Sequence, residues 1–286
     1  MKRSLTSSFV AFLLIASMGA ACLADDVKPT PVPKPPQAKP GVVAGVVSDE
    51  RGNVIKDARI RVFVSGISGS FGQRNEFNYD VNDDGTYSFE MPDGVYKIWA
   101  EVEKEYNGRQ YRLQLYPEDK RDWNAGHSTK NGVVKNFVWK VSGIKPGGDR
   151  KMPSAYYGGT ITFQDKNHYD DEKKLLGKYP KANVVLTFTP RGPLVDGSTI
   201  KPFDREFPVK SFQQYQGQIL DVPIGEYSVF ARVVTPEKKE VPLKVRKWNP
   251  AASDEDNPMA AKADFEFVQP STVESMQEVK MQLGLD

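Results

Sequence analysis

The chain has 286 residues, of which 39% are hydrophobic, 11% aromatic and 27% charged. That profile belongs to folded protein and excludes both wholesale disorder and a multi-pass membrane protein. The formal charge of +2 comes from 39 Lys and Arg against 37 Asp and Glu. With Lys2 and Arg3 set aside the remainder is neutral, so bulk electrostatics would not draw it to nucleic acid or an anionic membrane.

Lys2 and Arg3 open a leader. An apolar run from Phe9 to Ala16 comes next, then small residues up to Ala24. These are the three regions of a secretory signal peptide over residues 1–24, and the run falls short of the roughly 18 residues of a spanning helix. Cys22 is the single cysteine, so an exported chain has no internal disulfide and its domains rest on their cores. Gly19-Ala20-Ala21-Cys22 also approximates a lipobox, in which Cys22 would carry lipid and tie the protein to a membrane. Gly19 stands where Leu is usual, so cleavage after Ala24 is the preferred reading. Residues 25–40 then form a spacer, because six prolines between Lys28 and Pro40 hold the backbone extended and solvated.

From Gly41 the pattern is β. Val42 to Val47 is an apolar run closed by a turn cluster, and Ala58, Ile60, Val62 and Val64 alternate on one face. Phe77, Tyr79 and Val81 alternate again, as do Tyr87, Phe89 and Met91, then Tyr96, Ile98, Ala100 and Val102. Asn107-Gly108 is a two-residue hairpin signal, since both central positions of a type I′ turn need positive φ. Tyr111, Leu113 and Leu115 continue the meander, and Val133 to Val141 supplies a last strand. Seven short strands without helical periodicity fit a Greek-key β-sandwich over residues 41–143.

Residues 144–155 are a turn-rich linker, and the sequence beyond this linker repeats the sequence ahead of it. Pro92 to Val102 aligns without gaps on Pro223 to Val233, with five of eleven positions identical. Upstream, Ala58, Ile60 and Val62 correspond to Ala182, Val184 and Leu186; downstream, Leu113 and Leu115 correspond to Leu243 and Val245. Repeats this long are duplicated domains rather than solenoid units. A second sandwich is therefore expected over residues 156–286, with insertions at 166–181 and 191–203, a helical turn near Lys173 to Leu176, and a closing strand from Met276 to Leu283. The fold class is all-β, two tandem Greek-key sandwiches.

Gly45-Val46-Val47-Ser48-Asp49, Gly52, Ala58, Val62, Asp84 to Phe89 and Pro92 to Tyr96 give the first copy its likeness. It resembles the carboxypeptidase regulatory-like, transthyretin-like (prealbumin) domain family, best over 42–102 and more faintly over 156–286. The resemblance implies a seven-stranded Greek-key sandwich serving as a non-catalytic accessory or surface module, with no catalytic residues to carry over. Related adhesin domains use a Lys on the first strand for an isopeptide crosslink, and neither Val42–Ser48 nor Thr160–Gln164 has one.

Asp80, Asn82 and Asp84 read D-x-N-x-D-G, the opening half of a Ca²⁺ loop. Met91 stands where the bidentate Glu belongs, so the first reading is a plain β-turn, with Ca²⁺ the lesser one and no other cofactor expected. His127 and His168 are isolated and read as solvated loop residues. No nucleophile elbow or phosphate-binding glycine pattern appears, and the chain is not expected to be an enzyme. Trp123-Asn124 and Trp248-Asn249 occupy the same connection in each copy. They are either stacking platforms for a sugar ring or plugs for the open end of each sandwich.

The expected function is an exported, non-enzymatic binding or structural module of the cell envelope or extracellular space. Its partner would be a polysaccharide or an envelope or extracellular protein, not nucleic acid, with a membrane involved only through a lipidated Cys22. The alternatives are a carbohydrate-binding module using Trp123 and Trp248, and an accessory subunit of a secreted hydrolase.

Overall fold

The computed structural model describes residues 32–64, 76–122, 125–214, 216–249, 251–268 and 278–285. The leader and Cys22 lie outside them. The first copy is built from β1 (Val42–Asp49), β2 (Ala58–Val64), β3 (Glu76–Asp80), β4 (Thr86–Glu90), β5 (Val95–Tyr106), β6 (Arg109–Pro117), β7 (His127–Ser128), β8 (Val133–Val134) and β9 (Phe137–Trp139). The second holds β10 (Gly159–Asp165), α1 (Leu175–Lys178), β11 (Asn183–Pro190), β12 (Phe203–Pro208), β13 (Gln216–Val222), β14 (Glu226–Val234), β15 (Glu240–Lys247), β16 (Lys262–Glu266) and β17 (Glu278–Gly284).

The strand orders are β3-β2-β5-β6-β9-β1-β4 and β12-β11-β14-β15-β17-β10-β13, with β7 on β5 and β16 on β14. They match strand for strand. In each copy the first strand pairs in parallel with the last, β1 with β9 and β10 with β17. In each, one strand changes partner midway: β6 leaves β5 for β9 at Tyr116, and β15 leaves β14 for β17 at Lys244. Such a strand turns the corner between two sheets and folds them over a shared core.

The alternating rows form that core. Ala58, Ile60 and Val62 face Ile98, Ala100 and Val102 inside the first copy; Val184, Leu186 and Phe188 face Val229, Ala231 and Val233 inside the second. Ile60 pairs with Ala100, and Leu186 pairs with Ala231. Ile60 therefore corresponds to Leu186 rather than to Val184, two residues from the match read in the sequence. A two-residue slip keeps every side chain on its own face, so alternation alone does not reveal it.

The repeated Pro-x-Gly-x-Tyr has a physical reason. The Tyr96 hydroxyl donates back to the Pro92 carbonyl at 3.1 Å, and Tyr227 donates to the Pro223 carbonyl at 2.8 Å. The first ring lies over Gly94, where any Cβ would strike it. Each tyrosine thus locks the turn that feeds the central strand, a corner known in other sandwiches.

Two expectations change. The last strand of the first copy breaks between β8 and β9, because the Asn136 side chain accepts the Val46 N–H at 3.2 Å in place of a ladder carbonyl. Phe77, expected on an inward row, is 42% exposed because β3 is an edge strand paired only with β2. In the turn-rich linker Ile144 bridges Tyr156, and the Lys145 N–H donates to the Ala155 carbonyl at 2.7 Å, which closes the segment into a loop.

Candidate functional site

The strongest concentration of polar contacts lies where the two copies meet. Asn107 and Gly108 adopt φ of 51° and 72° at the β5–β6 turn, the left-handed pair that a type I′ hairpin requires. This tip docks on the second copy. The Tyr106 hydroxyl donates to the Pro193 carbonyl at 2.9 Å and accepts the Glu226 N–H at 3.0 Å. Tyr111, fully buried, places its hydroxyl 2.7 Å from the Phe267 carbonyl and 3.1 Å from Glu266 Oε1. Burial, and then the Glu266 charge, push the Tyr111 phenol well above its usual range, so it stays a donor. Around the same seam the Gly143 and Gly158 N–H groups donate to Asp221 at 2.7 and 3.2 Å, and Arg51 bridges Asp49 and Asp196 at 3.0 and 3.2 Å.

Asp49 and Asp165 end the first strand of each copy and are both buried. Asp49 accepts the Arg51 and Asn53 N–H groups, and Asp165 accepts those of Asn167 and Leu175. Burial raises the Asp49 pKa, but the bonds from Asn53 and Arg51 outweigh it and hold the group below its usual range. Asp165 has no arginine bonded to it, and burial leaves it raised. Both carboxylates hold turns.

The outer faces carry ion clusters whose central residues are opposite in sign. On the first copy Glu101, only 3% exposed, sits between Arg61 (3.3 Å) and Arg112, and Arg61 also meets Glu76 at 2.8 Å. On the second, Arg232 fills the position equivalent to Glu101. It sits between Asp204 (2.9 Å) and Glu240 (3.2 Å) and donates to Thr187 at 2.9 Å.

Sequence reasoning passed over Lys135. It is 2% exposed, and its ammonium donates to the Asp122 carbonyl at 2.8 Å, lies 3.2 Å from His127 Nε2 and sits 5.6 Å from the Phe137 ring centroid. Desolvation pulls its pKa down to about 8. The available signal was parity, since Lys135 falls on the inward row of Val133, Phe137, Trp139 and Val141. His127 is consequently no solvated loop residue: burial first, then the Lys135 charge, lowers its pKa. His168 is likewise half-buried, with Nδ1 3.1 Å from the Asp165 carbonyl.

A groove of about 1160 Å³ opens between the ends of β1, β6 and β9 and the closed interdomain loop. Glu50, Glu118, Val138, Lys140, Lys145 and Tyr157 line it. The Lys145 ammonium donates to the Ser154 carbonyl at 3.0 Å and lies 5.0 Å from the Tyr116 ring centroid. Burial lowers its pKa to about 8.

The residues singled out from sequence do not converge. Trp123 and Asn124 lie outside the described residues. Trp248 is half-buried beyond the end of β15, with the Lys280 ammonium 5.6 Å from its ring centroid, and the Asn249 side chain accepts the Ala251 N–H at 3.1 Å as a turn cap. Asp84 accepts both the N–H (2.9 Å) and the hydroxyl (2.6 Å) of Thr86, which lowers its pKa. Asn82 donates to Thr86 at 3.0 Å, and Asp80 faces Arg59 at 3.8 Å. These three side chains supply turn and strand chemistry. Among the described residues no group of three or more His, Cys, Asp or Glu is placed to hold a metal ion.

No family model matches the chain, and no curated protein matches it. Among solved structures, the Bacillus anthracis TIE protein is 12% identical over 85% of this chain and 34% of its own, with a TM-score of 0.34. The C-terminal fragment of the pilus adhesin SpaC from Lactobacillus rhamnosus GG is 10% identical over 86% of this chain and 96% of its own, at a TM-score of 0.23. The shaft pilin SpaA from the same organism is 12% identical over 85% and 98%, at 0.22. This chain spans about a third of the Bacillus anthracis protein, and at such identities and scores none of these likenesses assigns a family or a function. Among the described residues no helix is long and apolar enough to cross a membrane.

Proposed function

We propose that the protein is an exported, non-enzymatic structural or binding module of the cell envelope or extracellular space, built on a pair of prealbumin-like sandwiches. The seam carries this reading. Tyr111 is completely buried between the copies, and Tyr106, Asp221 and Arg51 bond across the same junction. Domains that need only a tether meet through small, wet contacts, whereas this junction presents two outer faces in fixed relation. The buried charged groups have structural partners: Asp49 and Asp165 cap turns, Lys135 caps a carbonyl, and Glu101 pairs with Arg61 and Arg112. Expressed with its leader in a bacterial host, the tagged chain should be recovered outside the cytoplasm. Its intact mass should show residues 1–24 removed. Full-length protein retained in the cytoplasm would overturn the reading.

A second reading, carbohydrate binding, draws on Trp248, which keeps part of its indole accessible beside Lys280 on the second copy. A part-accessible indole with a cation over its ring suits an acidic sugar, through stacking on the ring and charge together. Affinity electrophoresis through gels containing a panel of polysaccharides tests it. Retardation of the wild type should fall about tenfold in Trp248→Ala, the loss of roughly one stacked ring, with Trp123→Ala run in parallel. Equal mobility on every glycan removes the idea and leaves the structural reading, including a role beside a secreted hydrolase, in place.

A further inference from the structure

We infer that the outer face of β1 is a binding strip for an extended proline-rich segment, and that residues 32–39 fill it in cis as a strap; this goes beyond the module reading and does not rest on it. Lys39-Pro40-Gly41-Val42 is a reverse turn. The Val42 N–H donates to the Lys39 carbonyl at 3.0 Å and Gly41 takes φ of 74°, the type II pattern with proline second and glycine third. The chain ahead of the turn therefore runs back along β1. At one end the Lys39 backbone sits against Gly132 and leaves no room there for a Cβ. At the other end Val32 lies 3.8 Å from where a Gly52 Cβ would project, beside Ser48 and Asp49 in the groove wall. Polyproline helix from Val32 to Lys39 covers roughly 22 Å, and β1 from Val42 to Asp49 covers roughly 23 Å.

The strap has one place to lie. β4 occupies one side of β1, β8 and β9 occupy the other, and the inner face with Val43 and Val47 belongs to the core. On the outer face stand Ala44 and Val46, 1% and 3% exposed although outside the core cluster. Their neighbours in the sheet are too short and too open to hide them: Ser88 is exposed, and Thr86 and Val134 are half-buried. On the equivalent strand of the second copy Thr160 and Thr162 are as closed, but there the long side chains of Glu278, Lys280 and Gln218 stand beside them. The strap's own burial has the period of three that a polyproline helix gives to one edge. Pro33 and Pro36 are half-buried, whereas Lys34, Pro35, Gln37 and Ala38 are exposed. Prolines at 33, 35 and 36 remove the N–H groups a strand ladder would need. Packing holds the strap, and its stiffness leaves little freedom to lose on docking.

Thiol labelling tests the assignment in the full chain carrying Cys22→Ser, with Val46→Cys beneath the strap and Val43→Cys in the core as reporters. Both should label slowly. Pro33→Gly with Pro36→Gly should speed labelling at position 46 about tenfold, the scale of two such changes in chain freedom, and leave position 43 unchanged. A peptide of residues 32–40 at about 10 mM, above the roughly millimolar effective concentration of a short tether, should slow position 46 again. The same peptide with glycine for its prolines should not. Equal rates at position 46 with and without the glycine substitutions overturn the assignment, as does a proline peptide that acts no better than the glycine one. So does equal acceleration at position 43, because the segment would then hold the sandwich folded rather than cover one face. Slow labelling that fades on dilution overturns it too, since another molecule's segment would then fill the strip.

Discussion

Tyr111→Ala is expected to cost about 3–5 kcal/mol, the range for removing a fully buried aromatic ring, and to split one unfolding transition into two. The residue is 1% exposed, and its ring meets Tyr106 edge-on at 5.8 Å. Its hydroxyl reaches the backbone of the other copy at Phe267. Deleting it opens a cavity at the seam, leaves the Phe267 carbonyl unpaired and removes the rigid contact through which each sandwich stabilises its neighbour. Tyr111→Phe keeps the ring and loses only the hydrogen bond, so about 1 kcal/mol is expected. Differential scanning calorimetry reads both effects. A Tyr111→Ala protein that melts in one transition at the wild-type midpoint would show that the seam does not couple the copies.

Stability should rise with pH between about 8 and 10. The sign follows from Lys135: in the unfolded chain its pKa is that of an ordinary lysine, 10.5, and in the fold it is about 8. Between those values the unfolded state holds a proton that the folded state has released, so raising the pH favours folding. The gain is complete above the unfolded value and is lost as pH falls through the folded one. At about 1.4 kcal/mol per unit over the span from about 8 to 10.5, it amounts to at most about 3–4 kcal/mol. Lys145 acts in the same direction and more weakly, because water screens it. The buried phenols of Tyr87, Tyr111 and Tyr227 oppose the trend above pH 10, since their pKa values are raised in the fold. Lys135→Met retains most of the packed stem and deletes the ammonium. It should be more stable than the wild type at pH 7 by about 1–3 kcal/mol, with a flatter profile. Urea midpoints at pH 7, 8.5 and 9.5 decide the matter; a variant with the wild-type slope, or one weakened at pH 7, contradicts the account.

Much of the fold was legible because sheets write themselves in period two. The rows ending in Val62 and Val102, the Asn107-Gly108 turn and the paired Pro-x-Gly-x-Tyr segments read through to strands, a hairpin and two corners. Less legible was anything set by a partner distant in sequence. Tyr111 sits on an inward row and reads as the core of its own sandwich, yet its hydroxyl belongs to the other copy. The two-residue offset between Ile60 and Leu186 is silent in a pattern of period two. Lys135 breaks the rule that an inward position is apolar, and the carbonyl of Asp122, the His127 ring nitrogen and the Phe137 ring, all outside its own alternation, explain how it is tolerated. The Trp-Asn pairs stand out by their equivalent place in the two copies, and that placement does not say that Asn249 is used as a turn cap.

Neighbouring domains of like topology risk trading strands while they fold. Here the opposite charges at the equivalent central positions, Glu101 and Arg232, work against that error. A hybrid sheet that laid β2 on β14 in the native register would set Arg59 opposite Arg232, with Arg61 diagonal to it, and the reciprocal hybrid would bring Asp204, on β12, toward Glu101 across the intervening β11. Each mismatch brings like charges together on the outer face, which is unfavourable. Every sandwich is thereby steered to complete itself with its own strands, and the gene can keep two similar halves in one chain without their becoming entangled.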